Sequence, residues 1–422
     1  MHNLQRIAMA QLSDDCFAFG GVLLALDAAR ARIADLYGCV AAVESVALGA
    51  AGGRILAHDL VAGIDLPPHT NSAVDGYAVH HSDLLTDRAT LLPMQGRTAA
   101  GQMPAAALAR GHAGRVFTGA VLPDGADTVL MQEDCSEQPG GVLVQPGIRL
   151  GANRRPAGED VARGAVALAA GRRLMPPDIG LLAALGLACV AVRRPIRVAL
   201  FSTGDELTNP PGPLAPGQVF DANRFMLAAL LRRLGVAVQD GGILLDARDA
   251  TATALAEAAS VCDLVLTSGG VSAGDEDHTR AAIEQAGTLA FWRVAIKPGR
   301  PVALGSIGGV PLLGLPGNPV AALVTFMALG RPLLDRLAGA SPAPLPGFTA
   351  QAGFAWRKKL GRREYVRVQI GPDGTARRYP KDGAGILTSL TESDALMELP
   401  EAMAALAPGD RVRVIPLGLL YG

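Results

Sequence analysis

Cysteine is scarce in this chain: five residues, Cys16, Cys39, Cys135, Cys189 and Cys262, with no CxxC pair. A scattered, odd set excludes a disulfide framework and predicts reduced thiols, each a buried filler, in a cytoplasmic protein. Aromatic residues make up only 4% of the chain, and Lys+Arg 38 against Asp+Glu 39 leaves a formal net charge of −1. Neither a base-stacking platform nor a basic field for nucleic acid is therefore expected. No uncharged apolar run reaches membrane-spanning length. The N-terminal stretch MHNLQRIAMAQLSDDCF has no continuous apolar segment and carries Asp14 and Asp15, so no secretory signal is expected. Dense His/Cys spacing of the zinc type and tandem repeats are also missing.

What is present is a globular composition. Half of the 422 residues are hydrophobic and 18% are charged, and that length predicts about three or four domains. Residues 21–38 repeat apolar side chains at helical spacing. From about residue 68 to 165, short apolar runs are punctuated by Gly, Pro and Asp, the texture of a β-rich domain. Residues 176–188 return to helix, with Asp178 placed to cap the first turn. Residues 196–337 alternate apolar strands with helices, which predicts a doubly wound, mostly parallel α/β sheet covered on both faces. SPAPLPG, 341–347, reads as a linker, and REYVRVQI and RVRVIPL beyond it as half-buried strands of a small β-domain. The expected division is 21–67 plus 161–195 as an elongated helical N-terminal domain, 68–160 as the β-rich domain, 196–340 as the central domain and 341–422 as the C-terminal β-domain.

Ligands of open α/β sheets bind at the carboxyl ends of the strands, and four loops of the central domain leave such ends. They are STGDEL (202–207), LLDARD (244–249), SGGVSAGDED (268–277) and LPGNP (315–319). Each alone has an ordinary reading as a turn or a helix cap. Their occurrence after successive strands is the signal. SGGVSAGDED pairs anion-cradling small residues (Ser268, Gly269, Gly270, Ser272, Gly274) with the carboxylates Asp275, Glu276 and Asp277. Amides and carboxylates in one loop suit a phosphate that arrives with a hard divalent cation such as Mg²⁺. His278 reads as a surface residue opening a helix. KPGRP adds Lys297 and Arg300 near the same edge, suited to phosphate or another oxyanion. The β-rich domain has its own polar clusters: HTNSAVDGYAV (69–79), FTGAVLPDGADTVLMQED (117–134) with Thr118, and GANRRPAGED (151–160) with Arg154, Arg155 and Asp160. For each, a structural turn is the competing reading.

Taken in order, HTNSAVDGYAV, TGAVLPDGADTVLMQE, GANRRPAGED, STGDEL, TSGGVSAGDEDH, FWRVAIKPGRP and GLPGNPV resemble the molybdopterin molybdenumtransferases, the last-step enzymes of molybdenum cofactor synthesis. The resemblance runs from about residue 21 to the C-terminus and is strongest over 65–337. It implies substrates (molybdate and adenylylated molybdopterin), Mg²⁺ as cofactor, and AMP as a product beside the molybdenum cofactor. It also implies an elongated homodimer whose site lies between the central domain of one chain and the DGYAV domain of the other. Molybdopterin adenylyltransferase and cofactor-insertion proteins are further expected partners; nucleic acid and membrane are not.

By motif, the resemblance carries catalytic roles to Asp75, Thr118, Asp160, Glu206, Asp246, Asp277 and Lys297. Glu206, Asp246 and Asp277 are the implied metal ligands. Pro316, Gly317, Asn318, Pro319 and Arg300 join the glycine-rich loop in binding the pterin or nucleotide. Arg293 and Arg300 stand where the family often has lysine, and residues 1–20 match no motif. The competing expectations are a molybdopterin adenylyltransferase on the same central fold and a non-catalytic molybdopterin-binding protein. Nucleotide use separates the two enzymes, since the adenylyltransferase consumes ATP.

Overall fold

The computed structural model describes residues 23–244, 247–271, 283 and 287–420. Its centre is the expected α/β domain. In chain order its elements are β1 (Arg197–Thr203), α1 (Asn223–Arg233), β2 (Ala237–Leu244), α2 (Arg248–Val261), β3 (Leu264–Ser268), β4 (Gly287–Trp292), β5 (Ala303–Ile307), β6 (Val310–Leu315), α3 (Pro319–Thr325) and α4 (Arg331–Leu337). A π-helical turn, Phe326–Gly330, joins α3 to α4. The sheet order is β2-β1-β3-β6-β5-β4. The first four strands are parallel, and the hairpin β5–β6 with edge strand β4 is antiparallel.

Alternate residues of these strands feed two cores, which is why the strands are apolar throughout. Val198, Leu200, Leu264, Leu266, Leu313 and Leu315 pack with Leu227 and Leu231 of α1 and Leu323 of α3. Ala199, Phe201, Val265 and Leu312 face the other way, onto Leu255 and Ala258 of α2. The helix Leu26–Leu36 buries Leu26, Ala29 and Ile33 in the first of these cores.

Strands Val43–Ala47 and Ile55–Leu56 pair with Cys189–Arg193, and Leu60–Val61 pairs with Val166–Leu168, so the chain leaves this region and returns to it. Asp178 lies inside the helix Pro176–Ala184 and reaches back to accept from the Met175 amide. Between these pairings the β-rich domain is built on a four-stranded sheet, Met94–Thr98, Ala113–Val116, Gly76–Val79 and Thr128–Met131.

Two expectations are corrected. Cys39 and Cys189 are exposed and Cys135 is half-buried, so of the described cysteines only Cys262 is a buried filler. REYVRVQI is not half-buried: Glu364, Tyr365, Val366, Arg367 and Val368 are all buried. The cause is closure. Strand Arg363–Ile370 pairs with both Thr375–Arg378 and Ala395–Leu399, and the latter with Arg411–Pro416, which reaches Thr375–Arg378 again through Phe348–Ala352. Val366 and Val368 fill this small barrel, while Tyr365 packs into the central domain's core.

Candidate functional site

The register of the parallel strands brings the expected loops together. Ser202 of β1 lies opposite Ser268 of β3, Ser268 lies opposite Leu315 of β6, and Thr203 lies opposite Leu244 of β2. The loops after all four strands therefore leave one edge of the sheet. Those after β1, β3 and β6 line a crevice of about 720 Å³. Among its lining residues are Glu206, Ser268, Gly269, Gly270, Pro316, Gly317, Asn318 and Pro319, all expected from the sequence. Gly269 has φ +97, and a Cβ there would come within 2.5 Å of the Thr203 carbonyl oxygen, so the loop can cross β1 only as glycine. Asp246, Ser272, Gly274, Asp275, Glu276, Asp277 and His278 lie outside the described residues.

The crevice floor is a hydrogen-bonded network that the sequence reading missed. Asn223, at the start of α1, donates Nδ2 to Ser268 Oγ (2.8 Å) and to the Gly317 carbonyl (2.6 Å). Ser268 Oγ in turn donates to the Pro316 carbonyl at 3.3 Å. One amide thus ties the glycine-rich loop to the LPGNP loop. Beside it Asp221 accepts from Ser202 Oγ (3.0 Å), the Arg224 amide (3.1 Å) and Arg224 Nε (2.9 Å). Thr203 Oγ1 and Thr267 Oγ1, at the ends of β1 and β3, are buried without a hydrogen-bond partner among the described residues. The signal for this network was DANR, where only the helix start was legible.

A second crevice, of about 320 Å³, adjoins the first, and Pro301, Pro316 and Asn318 line both. Lys297, Arg300, Arg362 and Arg367 make its lining basic, with Glu364 and Asp382 as its carboxylates. Lys297 and Arg300 come from the central domain as expected; the others come from the C-terminal barrel, which the sequence left without a mechanistic role. Residues Ile296–Lys297 pair in parallel with the barrel strand, Lys297 opposite Glu364. Glu364 is 1% exposed, accepts from Arg362 Nε at 2.8 Å and lies 3.5 Å from Lys297 Nζ. The Trp356 ring centroid is 5.7 Å from the same ammonium. Arg367 donates to Ser389 Oγ and to the Gly383 carbonyl, both at 3.0 Å. Arg293, in the left-handed region at φ +73, stacks on Trp292 and lines neither crevice.

The β-rich domain carries its candidates elsewhere in the chain. Asp75, Thr118 and Asp160 line neither crevice. Asp75 Oδ1 accepts from both the amide and the hydroxyl of Thr118, each at 2.7 Å. Those two bonds, amide first, hold the carboxyl below its ordinary range, and Arg115 adds to the effect. Arg115 lies over the rings of Tyr77 and Phe117 (4.8 and 5.0 Å to the centroids) and donates to Gln132. Asp160 is exposed, its backbone amide bonded to Leu66. Arg154 and Arg155 are exposed and pair with Ser72 and Asn71 in a two-stranded ladder. Among the described residues no three His, Cys, Asp or Glu side chains gather as a metal site.

Comparison with known proteins decides the family. The chain matches the MoeA N-terminal region (domain I and II) over residues 24–186, a probable molybdopterin binding domain over 199–336, and the MoeA C-terminal region (domain IV) over 349–417. It is 36% identical over 406 residues to the molybdopterin molybdenumtransferase of Haemophilus influenzae, covering 95% of this chain and all of that one. The chain belongs to the molybdopterin molybdenumtransferase family. Molybdopterin molybdenumtransferase 2 of Mycobacterium tuberculosis is also 36% identical, covering 88% of this chain and 94% of that one. The crystal structure of the molybdopterin biosynthesis MoeA protein of Pyrococcus horikoshii OT3 superposes with a TM-score of 0.80 at 30% identity, covering 93% of this chain and 99% of that one. No helix among the described residues is long and apolar enough to cross a membrane.

Proposed function

We propose that the protein transfers molybdenum from molybdate to molybdopterin, taking adenylylated molybdopterin and releasing AMP. One observation carries this reading: a polar, glycine-walled crevice at the sheet edge opens beside a basic one, and the two share Pro301, Pro316 and Asn318. The larger crevice has room for a pterin or nucleotide, and its loop amides suit phosphate oxygens. The smaller presents Lys297, Arg300, Arg362 and Arg367 to a tetrahedral oxyanion. An oxyanion there sits next to the phosphate-bearing substrate, the arrangement that group transfer needs.

Mg²⁺ fits the donor set in kind, since Glu206 offers hard carboxylate oxygens at the crevice wall and Asp246 follows the adjoining strand end. The proposed ligands are Glu206, Asp246 and Asp277, and the ion would neutralise pyrophosphate charge during cleavage. Within the chain, Asn223 fixes the two loops, Lys297 and Arg300 hold the oxyanion, and Ser268, Gly269 and Gly270 take phosphate oxygens.

The second half of the site is proposed to come from another copy. Asp75, Thr118 and Asp160 line neither crevice of their own chain, and an isologous homodimer would set the DGYAV domain of one copy over the central domain of the other. An adenylyltransferase would consume ATP; the relatives named as molybdenumtransferases favour the transfer reading. The test is AMP release from adenylylated molybdopterin with Mg²⁺, with and without molybdate, and without ATP. Release that depends on molybdate supports the transfer. Tight binding of the adenylylated pterin with no release would leave a carrier protein instead.

A further inference from the structure

A third crevice lies apart from both candidates, at the seam where the N-terminal region meets the central domain. The loop 53–55, Arg173 and residues 193–196 form one wall; the turn 234–236 and helix α4 form the other. Five arginines line it: Arg54, Arg173, Arg193, Arg194 and Arg331. Asp335 is the one carboxylate in the lining, and it is shared by Arg173 Nη2 and Arg331 Nε, each at 2.9 Å.

The surrounding charges do not balance. Arg54 pairs with Glu44, and Asp263 serves both Arg194 and Arg197. Counting Arg197, six guanidiniums face three carboxylates, Glu44, Asp263 and Asp335. Donors are also left over. Arg193 donates Nη1 to the Ala41 carbonyl at 3.1 Å, and Arg331 reaches Asp335 through Nε, so among the described residues Nη2 of Arg193 and both Nη groups of Arg331 have no protein acceptor. These side chains are half-buried, where an excess of like charge is costly unless an anion answers it.

We propose that this crevice binds one inorganic oxyanion of the phosphate class, clamped between Arg193, Arg54 and Arg331. The cavity measures about 40 Å³. That is room for about three waters, the footprint of a tetrahedral oxyanion, and too little for a nucleotide. Planar guanidinium forks match such an anion with paired donors. Because one wall belongs to the N-terminal region and the other to the central domain, the bound anion cross-links the two and stabilises the seam by mass action. The site is separate in residues and location from the proposed transfer site.

The test is equilibrium binding of inorganic phosphate at fixed ionic strength to the Lys297→Ala protein, in which the basic crevice beside the sheet edge has lost one of its four cations, with AMP present to fill the proposed transfer site. One saturable equivalent that AMP leaves in place is expected, together with a phosphate-specific rise in melting temperature that chloride does not reproduce. Introducing Arg193→Gln or Arg331→Gln should weaken that equivalent on the order of tenfold, as expected for losing a charged hydrogen bond. Arg54→Gln serves as the independent third variant if either fails to fold. AMP should not compete for it. The proposal is overturned if Lys297→Ala binds no phosphate, if all folded arginine variants bind as tightly as their parent, or if AMP displaces the bound phosphate.

Discussion

Asp75 shows how much one side chain can depend on its neighbour. Thr118 donates twice to the same carboxylate oxygen, so Thr118→Ala removes one bond and leaves the amide. The Asp75 carboxyl should then titrate closer to its ordinary range, readable as an upward shift in an NMR titration. An unchanged titration would mean that the amide alone sets the ionisation. Asn223 makes a different prediction. Its replacement by alanine strips Ser268 and Gly317 of their shared donor inside a buried floor, costing about 1–3 kcal/mol in urea unfolding. Turnover should fall with it, because the loops it ties wall the crevice. At this scale the sequence was partly legible. Asp75, Glu206 and Lys297 stood in dense polar motifs, whereas Asn223 looked like any polar residue before an amphipathic helix. Its role depends on loops 45 and 94 residues away, a distance that no local pattern reports.

Elements were most legible where one physical rule decided them. β1, β3 and β6 are apolar on successive residues because both faces are covered, and their loops gather at one edge because the strands are parallel. The strand Arg363–Ile370 went wrong for a related reason. Its residue types alternate, but barrel closure and packing on the central domain bury both faces, and neither is encoded within eight residues. The DGYAV strand gives the sharpest test of packing at this scale. A Cβ on Gly76 would collide with the Leu130 carbonyl of the neighbouring strand. Gly76→Ala should force that ladder apart, lowering the melting temperature and removing activity together. A variant with wild-type melting would show that the strands can separate without cost.

Across the whole molecule, buried charge ties the strand ends opposite the crevice. Burial pushes the Asp263 carboxyl upward, but bonds from Arg194 and Arg197 outweigh it and leave the group well below its ordinary range. A depressed carboxylate adds stability that is present above its unfolded value, near pH 4, and fades as pH falls through the folded one. Asp263→Asn should therefore cost about 2 kcal/mol at neutral pH, less than a fully buried pair because both guanidiniums reach solvent. The gap to wild type should close as the protein is acidified.

If two copies complete one site, as proposed, mixing two inactive variants restores activity. Asp75→Asn removes the contribution of the DGYAV domain and Lys297→Ala that of the basic crevice, so each homodimer alone should be inactive. After co-refolding in equal amounts, half of the dimers carry one of each, and one of their two sites joins an intact Asp75 to an intact Lys297. Random pairing predicts activity recovering to about a quarter of wild type. No recovery, with mixed dimers demonstrably present, would place both residues in one subunit's site and contradict the shared arrangement.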